Sequence, residues 1–322
     1  MTGKNLLSLI AGVFYWIGVS GQAMDNTLAY RNIPTNKYFR INYENDFFAA
    51  FDRDYTQGIL IEKVHPGLSH FVLMNLLWHP LHSSIKYGLA IEHNAYTPND
   101  IAAYDIQYGD RPYAGVLLLK SFLIADNFDQ KRMISVSFSA GVIGPAAGGE
   151  QMQRTIHHWI NYTQPEGWHN QIQNDLALNY QVNVEKQVYQ FDNHFLLSLY
   201  GSVRVGTLSD KASAGFTANL GNFKSPFLRS DNSKRAFQWY VYFNLIGNAV
   251  AYDATLQGGL FNHSSVYTIP NAEISRLTLQ NKFGLVLLFR SLYLEYYRTG
   301  LTEEFYTSIY HRTGGLQIGF GF

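Results

Sequence analysis

Along most of the chain, apolar and polar side chains alternate one for one. Ile85, Tyr87, Leu89 and Ile91 share a face opposite Lys86, Gly88, Ala90 and Glu92. Ile134, Val136, Phe138, Ala140 and Val142 alternate with Ser135, Ser137, Ser139 and Gly141, and Leu176, Leu178, Tyr180, Val182 and Val184 with Asn179, Gln181 and Asn183. A period of two sends successive side chains to opposite faces of a strand, so each segment has one greasy face and one wet face. The pattern predicts twelve strands, near 38–45, 56–65, 84–95, 113–125, 132–143, 175–188, 194–206, 213–221, 236–247, 275–288, 290–298 and 313–322. In the last of them Leu316, Ile318, Phe320 and Phe322 alternate with Gln317, Gly319 and Gly321, an aromatic-ended strand of the kind on which outer-membrane barrels close. The expected fold is all-β: a transmembrane antiparallel β-barrel whose lumen faces are Ser, Asn, Gln and Gly, closed so that no sheet edge is left exposed. A soluble periplasmic sandwich is the competing account of the same alternation.

Strand parity, with the N-terminus on the periplasmic side, puts the loops at 46–55, 96–112, 144–174, 248–274 and 299–312 outside the cell and leaves short turns at 126–131 and 189–193. Residues 66–83 are too long and too apolar for a simple turn and have no evident role. Within the longest outer loop the period changes. Met152, Ile156, Trp159 and Ile160 fall at i, i+4, i+7 and i+8, which predicts an amphipathic helix over 149–161 with Gln153 and His157 on its polar side. Gly148 and Gly149 at its start allow close approach to another element.

At the N-terminus Lys4 precedes an apolar run, Leu6 to Val19, and then Ser20-Gly21-Gln22-Ala23. Small residues at Gly21 and Ala23 meet the cleavage rule, so a signal peptide over 1–23 is expected, followed by one domain over 24–322. A short membrane anchor is the alternative, although a spanning helix needs ~20 residues. Composition fits a barrel: 23 Tyr, 22 Phe and 27 Gly, with girdle aromatics expected on the outer wall. No cysteine is present, which removes disulfides and thiolate metal sites. The 24 basic and 24 acidic residues cancel, so no global field recruits nucleic acid, and anionic ligands must be met locally.

Three polar clusters stand out: Glu44-Asn45-Asp46 with Asp52-Arg53-Asp54-Tyr55-Thr56, then Asp110-Arg111-Pro112-Tyr113, then Gln153 and His157. All lie in or beside outer loops, so a composite site is geometrically open to them. Clustered carboxylate, amide and hydroxyl oxygens are ligands of the type calcium takes, with Asp46 foremost, although the spacing is not that of an EF-hand and such residues also simply face water. His157 has the near-neutral imidazole a general base needs, but so do His65, His79, His82, His158 and His169. Arg111 beside Tyr113 suits a phosphate or carbonyl oxygen, or equally an ion pair with Asp110. The chain contains no Gly-x-Ser-x-Gly elbow, His-Glu-x-x-His pair or glycine-rich phosphate loop. Water activated by histidine, with a cation polarising an ester, is the simplest chemistry left.

Glu44-Asn45-Asp46, Asp52 to Gly58, Asp110 to Gly115 and Gly141 to Gly149, continued by Gln153, His157 and Trp168 to Asn174, resemble the outer-membrane lipid A 3'-O-deacylase family of the LpxR type. The likeness covers the first half of the mature chain; beyond residue 180 only the barrel pattern is shared. It implies a twelve-stranded outer-membrane enzyme that uses Ca2+ to hydrolyse the 3'-linked acyloxyacyl ester of lipid A; a monomer is expected. By that resemblance His157 matches the histidine proposed to activate water, Asp46 the calcium-site aspartate, and Asn45, Thr56 and Gln153 polar residues of the same site. Arg111, Tyr113 and Arg154 are left to meet the substrate. Two positions depart from the family: a basic pair has no counterpart in Asn99 to Gly109, and a glutamate six residues after the histidine is Thr163. A passive pore or binding barrel, and a barrel phospholipase acting on glycerophospholipids, are the competing functions.

Overall fold

The computed structural model describes residues 25–46, 55–229, 237–308 and 311–322, so the expected signal peptide lies outside the described residues. Twelve antiparallel strands form a closed barrel in which each pairs with its neighbours in sequence. They are β1 (Tyr38–Asn45), β2 (Tyr55–Val64), β3 (Ser84–Tyr96), β4 (Ala114–Asn127), β5 (Arg132–Ile143) and β6 (Asp175–Phe191), followed by β7 (Phe195–Gly206), β8 (Ser209–Asn222), β9 (Phe237–Asp253), β10 (Leu277–Phe289), β11 (Leu292–Leu301) and β12 (His311–Gly321). β1 closes on β12 in a register running from Tyr38 opposite Gly321 to Asn45 opposite Gly314. Among the described residues no helix is long and apolar enough to cross a membrane; the crossing is made by strands.

The alternation sorts as expected. Ile41, Ile61, Ile91, Leu117, Leu119 and Ile318 are exposed on the outer wall, while Asn42, Ser135, Gln181, Asn183 and Gln317 are buried inside. Two features differ. β8 and β9 are longer than their alternation predicts, because their outer ends carry polar side chains such as Ser209, Asp210, Asn248 and Asp253. Many tyrosines also turn inward: Tyr38, Tyr240, Tyr242, Tyr293 and Tyr297 are buried and belong to one lumenal cluster with Leu28, Tyr30 and Ile33, instead of forming an outer girdle.

That cluster exists because the chain preceding β1 folds back into the barrel. Arg31 pairs with Glu295 at 2.9 Å, both fully buried. Ala29 N donates to Glu185 at 2.7 Å, Gln317 Nε2 to Asn26 Oδ1 at 2.6 Å, Tyr240 OH to the Tyr30 carbonyl at 2.6 Å and Asn183 Nδ2 to Asp25 at 2.9 Å. Arg40 bonds Glu62 and also donates to the carbonyl oxygens of Arg31 and Asn26. Residues 25–33 thus cross-brace strands from all around the barrel and fill its periplasmic half, so the lumen there is packed and not an open channel.

Residues 66–83 also acquire a role. Two short 3-10 helices, Pro66–His70 and Val72–Leu76, lie against the outside of the barrel near its periplasmic rim. Met74 and Leu77 pack on Leu123, Ala125, Ile134 and Val136, and Trp78 N donates to Tyr180 OH at 2.8 Å. Val72, Leu76, Trp78 and Leu81 remain exposed, an apolar rim at the level where a barrel meets the membrane interface.

Candidate active site on the outer wall

The predicted helix is α1 (Gly149–Trp159), reached through a 3-10 turn, Pro145–Ala147; a second, one-turn helix, α2 (Ala254–Gln257), follows β9. α1 sits on the outside of the barrel. On β4 the even-numbered side chains face the lumen, so Gly115, with Leu117 and Leu119, faces out. A Cβ on Gly115 would lie 3.3 Å from Gly149 N, and a Cβ on Gly149 would lie 2.8 Å from the Trp168 ring and 3.2 Å from Gly115 Cα. Two glycines therefore let the helix start almost in backbone contact with the wall. Gly144 N donates to the Gly115 carbonyl at 2.8 Å, and the Gly144 φ of 107° turns the chain out of β5.

Placed this way, α1 buries its polar side. Gly149, Gln153 and His157 are buried, whereas Trp159 is 78 % and Ile160 64 % exposed. An amphipathic helix on a soluble protein does the reverse. Here the apolar stripe faces the surroundings of a membrane wall, and the polar pair is pressed against β3 and β4.

Both polar side chains are held by specific bonds. Trp168, wholly buried, donates Nε1–H to Gln153 Oε1 at 2.5 Å and packs its ring, tilted, 4.9 Å from that of Tyr113, which packs on Ala95. Burial pushes the Tyr113 phenol above its ordinary range, so it stays neutral, with its OH 3.3 Å from the Ile101 carbonyl. After α1, Asn161 takes a left-handed φ of 54° and folds the chain back. Tyr162 then packs edge-on to the His157 ring at 5.1 Å, and the Thr163 carbonyl oxygen lies 2.6 Å from His157 Nδ1. A carbonyl only accepts, so Nδ1 carries a proton, and in the neutral ring Nε2 is the nitrogen with the lone pair.

On the other flank, Asn45 ends β1, and its Nδ2 lies 3.4 Å from Tyr43 OH; Asp46 follows, 5 % exposed. The register of β2 on β3 slips between Tyr55 and Gln57, so Thr56 is the extra residue of a β-bulge, a device that re-aims side chains beside functional sites. The Thr56 side chain, with Asp52, Arg53 and Asp54, lies outside the described residues. Along the outer wall, Gln57 is opposite Ala95 and Ala95 opposite Gly115, while Asn45 stands one position beyond the Glu44–Gly58 pair. From β1 to β4 is about 15 Å at ~4.8 Å per strand. α1 begins on β4 and packs on β3 as well; His157 lies ~12 Å along it from Gly149. The helix and the Asn45–Asp46 flank thus stand on the same outer face of the first four strands.

The remaining candidates are elsewhere. Arg111 is on the lumen side, ion-paired with Glu304, donating to Thr255 Oγ1 at 2.8 Å and stacked 4.2 Å over Tyr96. Asp110 accepts the Arg111 backbone N–H and is not its ion partner. Arg154 points away from the buried face of α1, between Glu150 at 3.0 Å and Glu166 at 3.6 Å. Two residues not singled out by sequence are buried on the outer face: Gln57, and His93, whose Nε2 lies 3.1 Å from the Ala147 carbonyl and fixes the turn before α1. Alternation alone would make both lipid-facing; only the cover laid over this part of the wall distinguishes them. Among the described residues no three His, Cys, Asp or Glu side chains gather as a metal site.

A plugged, closed twelve-stranded barrel with an oriented histidine clamped to its outer wall defines a class: a β-barrel protein of the outer membrane. The chain belongs to the LpxR family of outer-membrane proteins, whose model matches residues 9–322. It shares the fold of LpxR from Salmonella typhimurium at 20 % identity and a TM-score of 0.71, over 88 % of this chain and 100 % of that one. Lesser likenesses are to the β domain of the Bordetella autotransporter BrkA (8 % identity, TM-score 0.47, 89 % and 99 % covered) and the translocator domain of NalP from Neisseria meningitidis (9 %, 0.38, 99 % and 94 %). No curated protein sequence matches the chain.

Proposed function

We propose that this protein is a lipid A deacylase that hydrolyses the 3'-linked acyloxyacyl ester in the outer leaflet, with His157 as general base and Ca2+ as cofactor. The observation that carries the reading is the orientation of α1. Its polar face, with an imidazole held in one tautomer, is buried against the barrel's outside, where acyl chains lie, while Trp159 and Ile160 face the lipid. A lumenal pore fits poorly, since residues 25–33 fill half of the barrel.

The chemistry follows from the residues. His157 Nε2 takes a proton from water as its oxygen attacks the ester carbonyl, and the Thr163 carbonyl steadies the imidazolium through Nδ1–H. Collapse of the tetrahedral intermediate breaks the bond to the sugar oxygen, which recovers the proton from Nε2, and the acyloxyacyl group leaves as a free carboxylic acid. Asp46 and Asn45 at the end of β1, and Thr56 by its residue type, are all oxygen-bearing, and the Asp46 carboxylate is buried, a set that fits a hard cation and not zinc. Such a cation, when bound, would supply Lewis-acid polarisation of the carbonyl. Gln153, held by Trp168, lies one helical turn from His157 and lines the same face. With Arg111 in the lumen and Arg154 engaged by carboxylates, neither is poised for the lipid phosphate, and acyl-chain contacts carry more of the recognition.

The test is mass spectrometry of lipid A from cells making the wild type or His157→Ala, with and without calcium chelation. Loss of the 3'-acyloxyacyl mass in untreated wild type alone supports the reading. Unchanged lipid A in all four samples refutes it, and phospholipid cleavage in the same extracts would replace lipid A by glycerophospholipids as substrate.

A further inference from the structure

On β2, Leu60 and Glu62 face the lumen, Glu62 bonding Arg40 and Asn26 there. Gln57, Ile59 and Ile61 therefore share the outer face, and Ile61 is 38 % exposed to the membrane. Gln57 is only 1 % exposed, yet its Nε2 has no hydrogen-bond partner. Native structures seldom bury an amide N–H unmet, and on a lipid-facing wall no bulk water is at hand to meet it.

Position makes the amide informative. Gln57 immediately follows the Thr56 bulge, stands opposite Ala95, and Ala95 packs with Tyr113 and Trp168, which holds Gln153. On its other side is the end of β1, with Asn45 and Asp46. The unmet donor thus lies on the stretch of wall between the two flanks of the site. An N–H can only donate, and the acceptor an acyl ester presents is its carbonyl oxygen.

We propose that Gln57 contacts substrate, its Nε2–H donating to the carbonyl oxygen of the scissile acyl ester and holding the negative charge that grows there during attack. The proposal rests on the ester-hydrolase reading of this site and adds to it a named oxyanion donor.

Gln57→Met keeps the volume and removes the N–H. With purified lipid A in mixed micelles containing calcium, it is expected to lower kcat about 10²-fold, the usual effect of losing one oxyanion donor, with KM changed less than about threefold. Because Nε2 has no partner in the protein, the temperature at which the folded barrel loses its faster gel migration should stay the same or rise. Gln57→Glu, which puts a carboxylate oxygen against the carbonyl, should be at least as impaired. A Gln57→Met kcat within about twofold of wild type overturns the proposal. So does a lost kcat matched by a lowered unfolding temperature, since the side chain would then be a packing element. Wild type releasing no acyl group from lipid A overturns the deacylase reading itself, and the contact with it.

Discussion

His157 Nδ1 lies 2.6 Å from the carbonyl oxygen of Thr163, six residues further along the chain. The bond is made by backbone, so it orients the imidazole whatever side chain stands at 163. Thr163→Val should therefore keep deacylation within about twofold of wild type, whereas His157→Gln should reduce it at least ~10²-fold, the range for losing a general base. Lipid A mass spectra of the two variants, at matched amounts of folded barrel, check both.

Trp168 reaches Gln153 with its only polar atom. Trp168→Phe keeps an aromatic ring beside Tyr113, gives up part of the contact with Gly149 and removes the donor. Expected are a loss of about 1 kcal/mol in local stability and a clear fall in turnover as Gln153 is released. Hydrogen exchange of the α1 amides and an activity assay together report it; unaltered exchange would show that the bond does not fix the helix.

At Gly149 a Cβ would come within 2.8 Å of the buried indole and 3.2 Å of Gly115 Cα. Gly149→Val should lift α1 from the wall and abolish activity, while the barrel, whose strand pairing does not involve this residue, unfolds within a few degrees of wild type. Gel mobility against temperature, set beside activity, separates the two effects.

Asp46→Asn removes the buried carboxylate that follows the end of β1. We expect activity to fall more than tenfold, with partial recovery at high calcium, because a neutral oxygen still coordinates but more weakly. A calcium titration of activity tests this; an identical half-saturation point in variant and wild type would place the cation elsewhere.

The lumenal plug can be probed separately. Arg31→Met leaves Glu295 buried without its counter-charge and should cost about 3–5 kcal/mol, visible as earlier loss of the folded gel form. Deletion of residues 25–33 should open ion conductance in planar bilayers that the intact protein lacks.

Most strands were legible because a barrel wall has two solvents, and residues such as Ile134 and Ser135 record them in strict alternation. The reading weakened at the outer ends of β8 and β9, where the wall stands in water on both sides and alternation has no cause. The tyrosines misled for a related reason. A tyrosine suits an interfacial girdle and a packed lumen equally, and only the return of residues 25–33 into the barrel decides for Tyr240, Tyr293 and Tyr297.

By itself, the sequence determined the strand count, the closed membrane barrel, the position of α1 and the pairing of Gln153 with His157 on one helical face, since each depends on local periodicity. Tertiary structure decided which way that face turns, which nitrogen of His157 carries the proton, that Arg111 lies in the lumen and that Gln57 is buried on a wall otherwise given to lipid. Those outcomes depend on contacts between residues far apart in the chain, such as Gly115 with Gly149 and Trp168 with Gln153, and a periodicity records the solvent beside a residue but not its partner.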